Sequence, residues 1–166
     1  DALNPSRAYA VQLARFMNAE AFNKGIGGER FNTALAAIKN DCTPDYITVA
    51  YGTNDVHYET GVLDIADFED TCRGFYETLR KNYPDAKIIG ISPIWRKDAE
   101  IDTIRIALAQ ATDIIRAVCR DVNAVFVHGW ELVPHDTKFF GDLMLHPGNE
   151  GFDHFYRNLA NQLTSL

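Results

Sequence analysis

Basic residues never cluster in this chain: 16 Lys and Arg stand against 23 Asp and Glu, for a formal net charge of −7. A nucleic-acid surface needs grouped cations to meet phosphates, so that class of partner is excluded and a small neutral or ester substrate suits the chain better. Cysteine is sparse and unpaired. Cys42, Cys72 and Cys119 are odd in number and carry no Cys-x-x-Cys spacing, which argues against a disulfide framework or a zinc site and for buried free thiols. No apolar stretch approaches the ~20 residues of a membrane span, and no basic-then-apolar leader opens the chain. The expectation is a soluble protein, cytoplasmic by default, with the residues before Asp1 left open because Asp1 is not an initiator Met. Serine is also scarce, with Ser6, Ser92 and Ser165 alone.

What is present fits one globular domain over residues 1–166, at 46% hydrophobic and 23% charged, long enough to bury a full core. Asn4-Pro5 reads as a helix cap followed by proline at the first helical position, with Tyr9, Leu13 and Phe16 recurring at helical spacing behind it. Ala21-Phe22-Asn23 reads as a short strand running into a glycine-rich turn, followed by a helix that carries Leu35 and Ile38. Tyr46 to Tyr51 is a stronger strand. Phe68, Cys72, Phe75 and Leu79 mark one helix face, closed by Asn82-Tyr83-Pro84, and Lys87 to Ile91 is the next strand. Ile104, Leu108, Ala111, Ile115 and Val118 predict a long amphipathic helix, and Ala124 to Val127 a further strand. Pro147 is expected in the first turn of a last helix, with Phe152, Phe155, Leu159 and Leu163 as its buried stripe. Strands alternating with helices, some apolar on both faces as at Ile88-Ile89, predict an α/β fold in three layers around a parallel sheet. No internal repeat or linker interrupts it.

In such sheets the ligand site lies beyond the carboxyl ends of the strands. Three segments fall there: Gly25 to Gly28, Gly52 to Asp55, and Ser92 to Arg96. Gly28 can bring its N–H close to a substrate oxygen, and the Asn54 amide can donate from the neighbouring loop. A tight turn accounts for the glycines equally well, and turn or cap roles account for Asn54 and Asp55. A phosphate cradle fits less well, because Gly27-Gly28-Glu29-Arg30 lacks a P-loop ending and the dinucleotide spacing. His146 stands before Pro147, and Asp142 lies four residues earlier in a glycine-containing loop. Together they suggest a base and the carboxylate that orients it, or a simple loop-closing hydrogen bond. His57, Trp95 and Arg96 are candidate pocket residues. His128 ends a strand, His135 and His154 read as rim residues, and the histidine spacings point to no metal site.

In this order the segments resemble the SGNH/GDSL family of serine hydrolases, esterases and lipases with a flavodoxin-like α/β/α fold. Asn23 to Gly28 is similar to its second block, Gly52-Thr53-Asn54-Asp55 to its Gly-x-Asn-Asp third block, and Asp142 to Pro147 to its final Asp-x-x-His-Pro block. The resemblance implies Gly28 and Asn54 as oxyanion donors, His146 as the base and Asp142 as its acidic partner, with no cofactor. Two departures stand out. Leu143 occupies the position three residues before His146 where the family has Asp, so a one-residue bulge is needed to restore the contact. The first block, Gly-Asp-Ser on an inner first strand, is absent, which leads us to expect roughly 10–20 residues upstream of Asp1, enough for a strand of ~5 residues and its turn. Ser92 is the serine best placed to substitute, although Pro93 constrains its turn. The resulting expectation is a serine esterase or acyl hydrolase acting on a small acylated lipid or carbohydrate through an acyl-enzyme, unable to act without its nucleophile. The rival is a non-catalytic module that keeps the cleft and binds acylated sugars.

Overall fold

Three strands, β1 (Tyr46–Val49), β2 (Lys87–Ile91) and β3 (Val125–Val127), form the sheet of the computed structural model, which describes residues 4–39 and 41–164. Asp1 and Ser165, which figured in the reading of the termini, lie outside the described residues. Both pairings are parallel, in the order β1-β2-β3, with Thr48 opposite Ile89 and Gly90 opposite Phe126. Parallel neighbours require a crossover, and each crossover here contains a long helix: α3 (Ile65–Asn82) and α4 (Asp102–Asp121). Asp64 caps α3 by accepting from the Asp67 N–H at 3.1 Å, and Tyr83-Pro84 stops it. Along α4 the stripe Ile104, Leu108, Ala111, Ile115 and Val118 is buried throughout, as its helical spacing predicts.

Successive strand residues face opposite sides of a sheet, and helices take both. On one side Thr48 meets the hydroxyl of Tyr9 in α1 (Tyr9–Phe16), whose ring stacks at 4.2 Å on Phe155 of α5 (Asn149–Thr164). On the other, a Cβ at Gly90 would stand 2.3 Å from the Cys119 sulfur and 2.5 Å from the Tyr76 hydroxyl, so the missing side chain lets α3 and α4 close onto β2. The short helix α2 (Thr33–Ala37) packs against α3. This is the three-layer α/β/α sandwich expected. Burial pushes the Cys119 thiol up to about 11 and that of Cys72 higher still, so both act as packing atoms; Cys42, by contrast, is exposed.

Several local expectations are corrected. Ala21-Phe22-Asn23 is exposed coil, with no ladder partner among the described residues. Its apolar residues suit a strand, yet a strand exists only where a neighbour supplies backbone hydrogen bonds. The opening helix starts as a 3-10 turn, Pro5–Arg7, with Asn4 accepting from the Ser6 N–H, and α1 follows after Ala8. Phe16 is 58% exposed and so does not share the burial of Leu13. Pro147 lies before α5, paired in an isolated antiparallel bridge with Phe140. Its ring therefore shapes the loop that enters the helix.

Candidate active site

β1 ends at Val49, and the chain then turns at Gly52, where φ is +103° and a Cβ would lie 3.0 Å from Ile115 Cδ1. Left-handed backbone and tight packing coincide at this position, which favours glycine. The turn delivers Asn54 and Asp55 to the glycine-rich segment. Asn54 Nδ2 donates to the Glu29 carbonyl at 2.9 Å, and an Asp55 carboxylate oxygen accepts from the Phe31 N–H at 3.4 Å. Burial raises the Asp55 pKa against the lowering pull of the Phe31 N–H and the Arg30 charge. Gly28 is the third residue of a turn closed by the Glu29 N–H on the Ile26 carbonyl, and its φ of +76° is the left-handed value such a turn demands. No atom lies within 4 Å of where its Cβ would stand, so the backbone conformation, rather than crowding, calls for glycine there.

Asp142 and His146 meet despite their four-residue separation. Leu143 absorbs the additional residue with a φ of +60° and a 63% exposed side chain. One oxygen of Asp142 accepts from three backbone N–H groups, Met144 at 2.9 Å, Leu145 at 2.8 Å and His146 at 3.1 Å. Its other oxygen lies 2.7 Å from His146 Nδ1. Partial burial would raise the Asp142 pKa, but the Leu145 N–H, the His146 ring and the Met144 and His146 N–H groups outweigh it and hold the carboxyl far below its ordinary range. The Gly141 N–H on the His146 carbonyl at 2.8 Å closes the loop.

A pH dependence follows from the depressed value. Its stabilising contribution is complete above the unfolded carboxylate value of about 4 and is lost as pH falls through the folded value. The Asp142–His146 clasp is therefore expected to persist well into acid below pH ~4. A carboxyl-carbon NMR titration checks this, and an Asp142 midpoint at or above the ordinary aspartate value would contradict it.

The other candidates are placed differently. Arg96 is 2% exposed and turned inward: Nε contacts Asp98 at 2.7 Å, and Nη1 donates to the carbonyls of Thr53 at 2.8 Å and Val56 at 3.1 Å. Trp95 is also buried, stacked against His135 with centroids 5.5 Å apart and packed on Phe140 at 5.3 Å. His135, expected on the rim, is exposed and holds the Trp130 carbonyl through Nε2 at 2.8 Å. His57 is exposed beyond the Asn54 loop, stacked on Tyr58 and hydrogen-bonded to Thr60 Oγ1 at 3.0 Å. Ser92 is 2% exposed, and its hydroxyl accepts from the Gly129 N–H at 2.9 Å, so it is packed as a structural hydroxyl. Ser6 spends its hydroxyl on Asn4 in the opening 3-10 turn.

The two loops are joined by a backbone contact that no sequence motif marks. The residue after Arg96 donates its backbone N–H to the Met144 carbonyl at 2.8 Å. Arg96-Lys97 thus touches both the Asn54 turn and the middle of the Asp142–His146 loop. The only sequence signal for this was an arginine placed just past a strand end.

Residues 1–154 match the model of the GDSL-like lipase/acylhydrolase family. Among solved structures, the chain is similar to a Bacteroides ovatus protein assigned to the GDSL-like lipases, at 21% identity and a TM-score of 0.78, covering 99% of this chain and 48% of that one. It is similar to a catalytic mutant of an acetylxylan esterase from Geobacillus stearothermophilus, at 17% identity and a TM-score of 0.73, over 94% of this chain and 80% of that one. A family two carbohydrate esterase from Cellvibrio japonicus gives 19% identity and a TM-score of 0.72, over 98% and 52% of the respective chains. The chain thus spans about half the length of two of these three proteins. At these identities the likeness establishes the shared fold. No curated protein sequence matches.

Proposed function

We propose that this chain, which belongs to the GDSL-like lipase/acylhydrolase family, carries the base and oxyanion hole of an esterase that cleaves a small acylated substrate through an acyl-enzyme. The observation that carries this reading is the Asp142–His146 clasp. Its 2.7 Å contact at Nδ1 fixes the tautomer of the ring, and three N–H groups keep the carboxylate ionised.

In this reading a serine hydroxyl attacks the ester carbonyl carbon as its proton passes to Nε2 of His146. The carbonyl oxygen becomes an oxyanion and accepts from the Gly28 N–H and the Asn54 amide. That amide has two hydrogens, one of which serves the Glu29 carbonyl and holds the group in place before reaction. Collapse of the tetrahedral intermediate breaks the ester C–O bond, and the leaving alcohol takes the proton back from His146. Water then attacks the acyl-enzyme by the same route and releases the acid.

Ser92, buried and hydrogen-bonded to the Gly129 N–H, and Ser6, whose hydroxyl is spent on Asn4, do not suit the attack, so neither is taken as the nucleophile in this reading. The carbohydrate esterases among the structural relatives make an acetylated sugar a reasonable first substrate to assay. Asn54→Ala is expected to lower kcat on short p-nitrophenyl esters by about 100- to 1000-fold with little change in KM. Unchanged turnover would remove Asn54 from the oxyanion hole. The Glu29 contact is lost in the same variant, so a thermal melt run in parallel separates loop loosening from lost catalysis.

A further inference from the structure

We propose that Arg96 is a positioning residue that locks the Asn54 loop to the Asp142–His146 loop; its catalytic consequence rests on the acyl-hydrolase reading above. Arg96 lies just past β2 and is 2% exposed, beside Asp98 at 9%. A guanidinium this deep is costly to desolvate, and the arrangement that best offsets the cost is a two-pronged clasp with a carboxylate. That clasp is not formed. Arg96 Nη2 and Asp98 Oδ2 are both buried without a hydrogen-bond partner, and the pair meets through Nε and Oδ1 alone.

The remaining donor is instead directed at the loop. Nη1 takes the carbonyls of Thr53 and Val56, the two residues that bracket Asn54 and Asp55. Drawing both carbonyls inward sets the orientation of the turn, and Asn54 is held from its other side by Glu29. One residue on, the Lys97 N–H holds the Met144 carbonyl, between Asp142 and His146. A shift of Arg96 therefore moves both loops together. Lysine cannot replace it, since a single ammonium lacks the planar fork that serves Asp98 in one direction and the two carbonyls in another.

Hydrogen–deuterium exchange and steady-state kinetics on the R96K variant of the native protein test this. Amides of residues 53–56 and 144–146 are expected to exchange about tenfold faster as a group, with β2 and α4 keeping wild-type protection. On a short p-nitrophenyl ester, kcat is expected to fall by about 10- to 100-fold with KM little changed, the signature of displaced catalytic groups. Wild-type exchange in either loop overturns the proposal. So does acceleration that spreads equally through β2 and α4, because that marks a residue that only holds the core. If R96K does not fold, D98N loosens the guanidinium without emptying its site and is judged by the same exchange criteria. Full hydrolysis by a His146→Ala variant would reject the acyl-hydrolase reading, while the exchange result still decides the role of Arg96.

Discussion

Replacing His146 with alanine in the native protein is expected to lower kcat on short p-nitrophenyl esters by about 10⁴- to 10⁶-fold, with KM little changed. In the proposed mechanism the size of the effect comes from losing the group that moves the proton in every step. Without a base the serine hydroxyl remains a poor nucleophile, and without an acid the alkoxide leaving group remains a poor one. The ring makes little packing contribution to confuse the result, because the His146 side chain is 58% exposed. Steady-state kinetics beside a thermal melt check this. A kcat within tenfold of wild type would contradict the assignment.

Asp142→Asn is expected to cost about 10⁴-fold in kcat for a different reason. The asparagine oxygen can still accept from the Met144, Leu145 and His146 N–H groups, so the loop keeps its shape. Against Nδ1, however, an amide N–H replaces the carboxylate oxygen that now lies 2.7 Å away. That nitrogen must then accept, the ring proton moves to Nε2, and the ring can no longer take a proton from serine. Asp142→Ala additionally removes the acceptor for all three N–H groups, so it is expected to lower the melting temperature where Asp142→Asn does not. If the two variants lose equal activity and equal stability, Asp142 acts only as a loop fastener.

Where the interactions were local, the sequence sufficed. The α3 and α4 stripes follow from three- and four-residue spacing, and β2 from an apolar run ended by Pro93, because each pattern reports one face of one element. Ala21 to Asn23 is no strand because strand pairing depends on what lies alongside, and Phe22 stays 68% exposed. Pro147 misled in a similar way. Its ring suits a first helical turn, but the Phe140 bridge and the Gly148 N–H on the Phe139 carbonyl hold it in the preceding loop.

The site shows the same division. The residues proposed for the site, Gly28, Asn54, Asp142 and His146, could be singled out in advance because the motifs are written in their side chains or, at Gly28, in the missing Cβ. The bulge at Leu143 could be anticipated from spacing. Arg96, in contrast, acts on the backbone carbonyls of Thr53 and Val56, and any residue presents the same carbonyl. Nothing in the identities of residues 53 and 56 marks them as its targets. The cover over Trp95 was not legible either, since its stacking on His135 joins residues forty apart in the chain.

If these loops activate a serine for acyl transfer, a fluorophosphonate will label the native protein covalently at that serine. The wild type is expected to form one phosphonyl adduct, on a serine other than Ser6 or Ser92, and His146→Ala is expected to form it at a rate lower by several orders of magnitude. A native protein that stays unlabelled would overturn acyl transfer and favour the non-catalytic reading, and one that labels equally fast without His146 would remove His146 as the base.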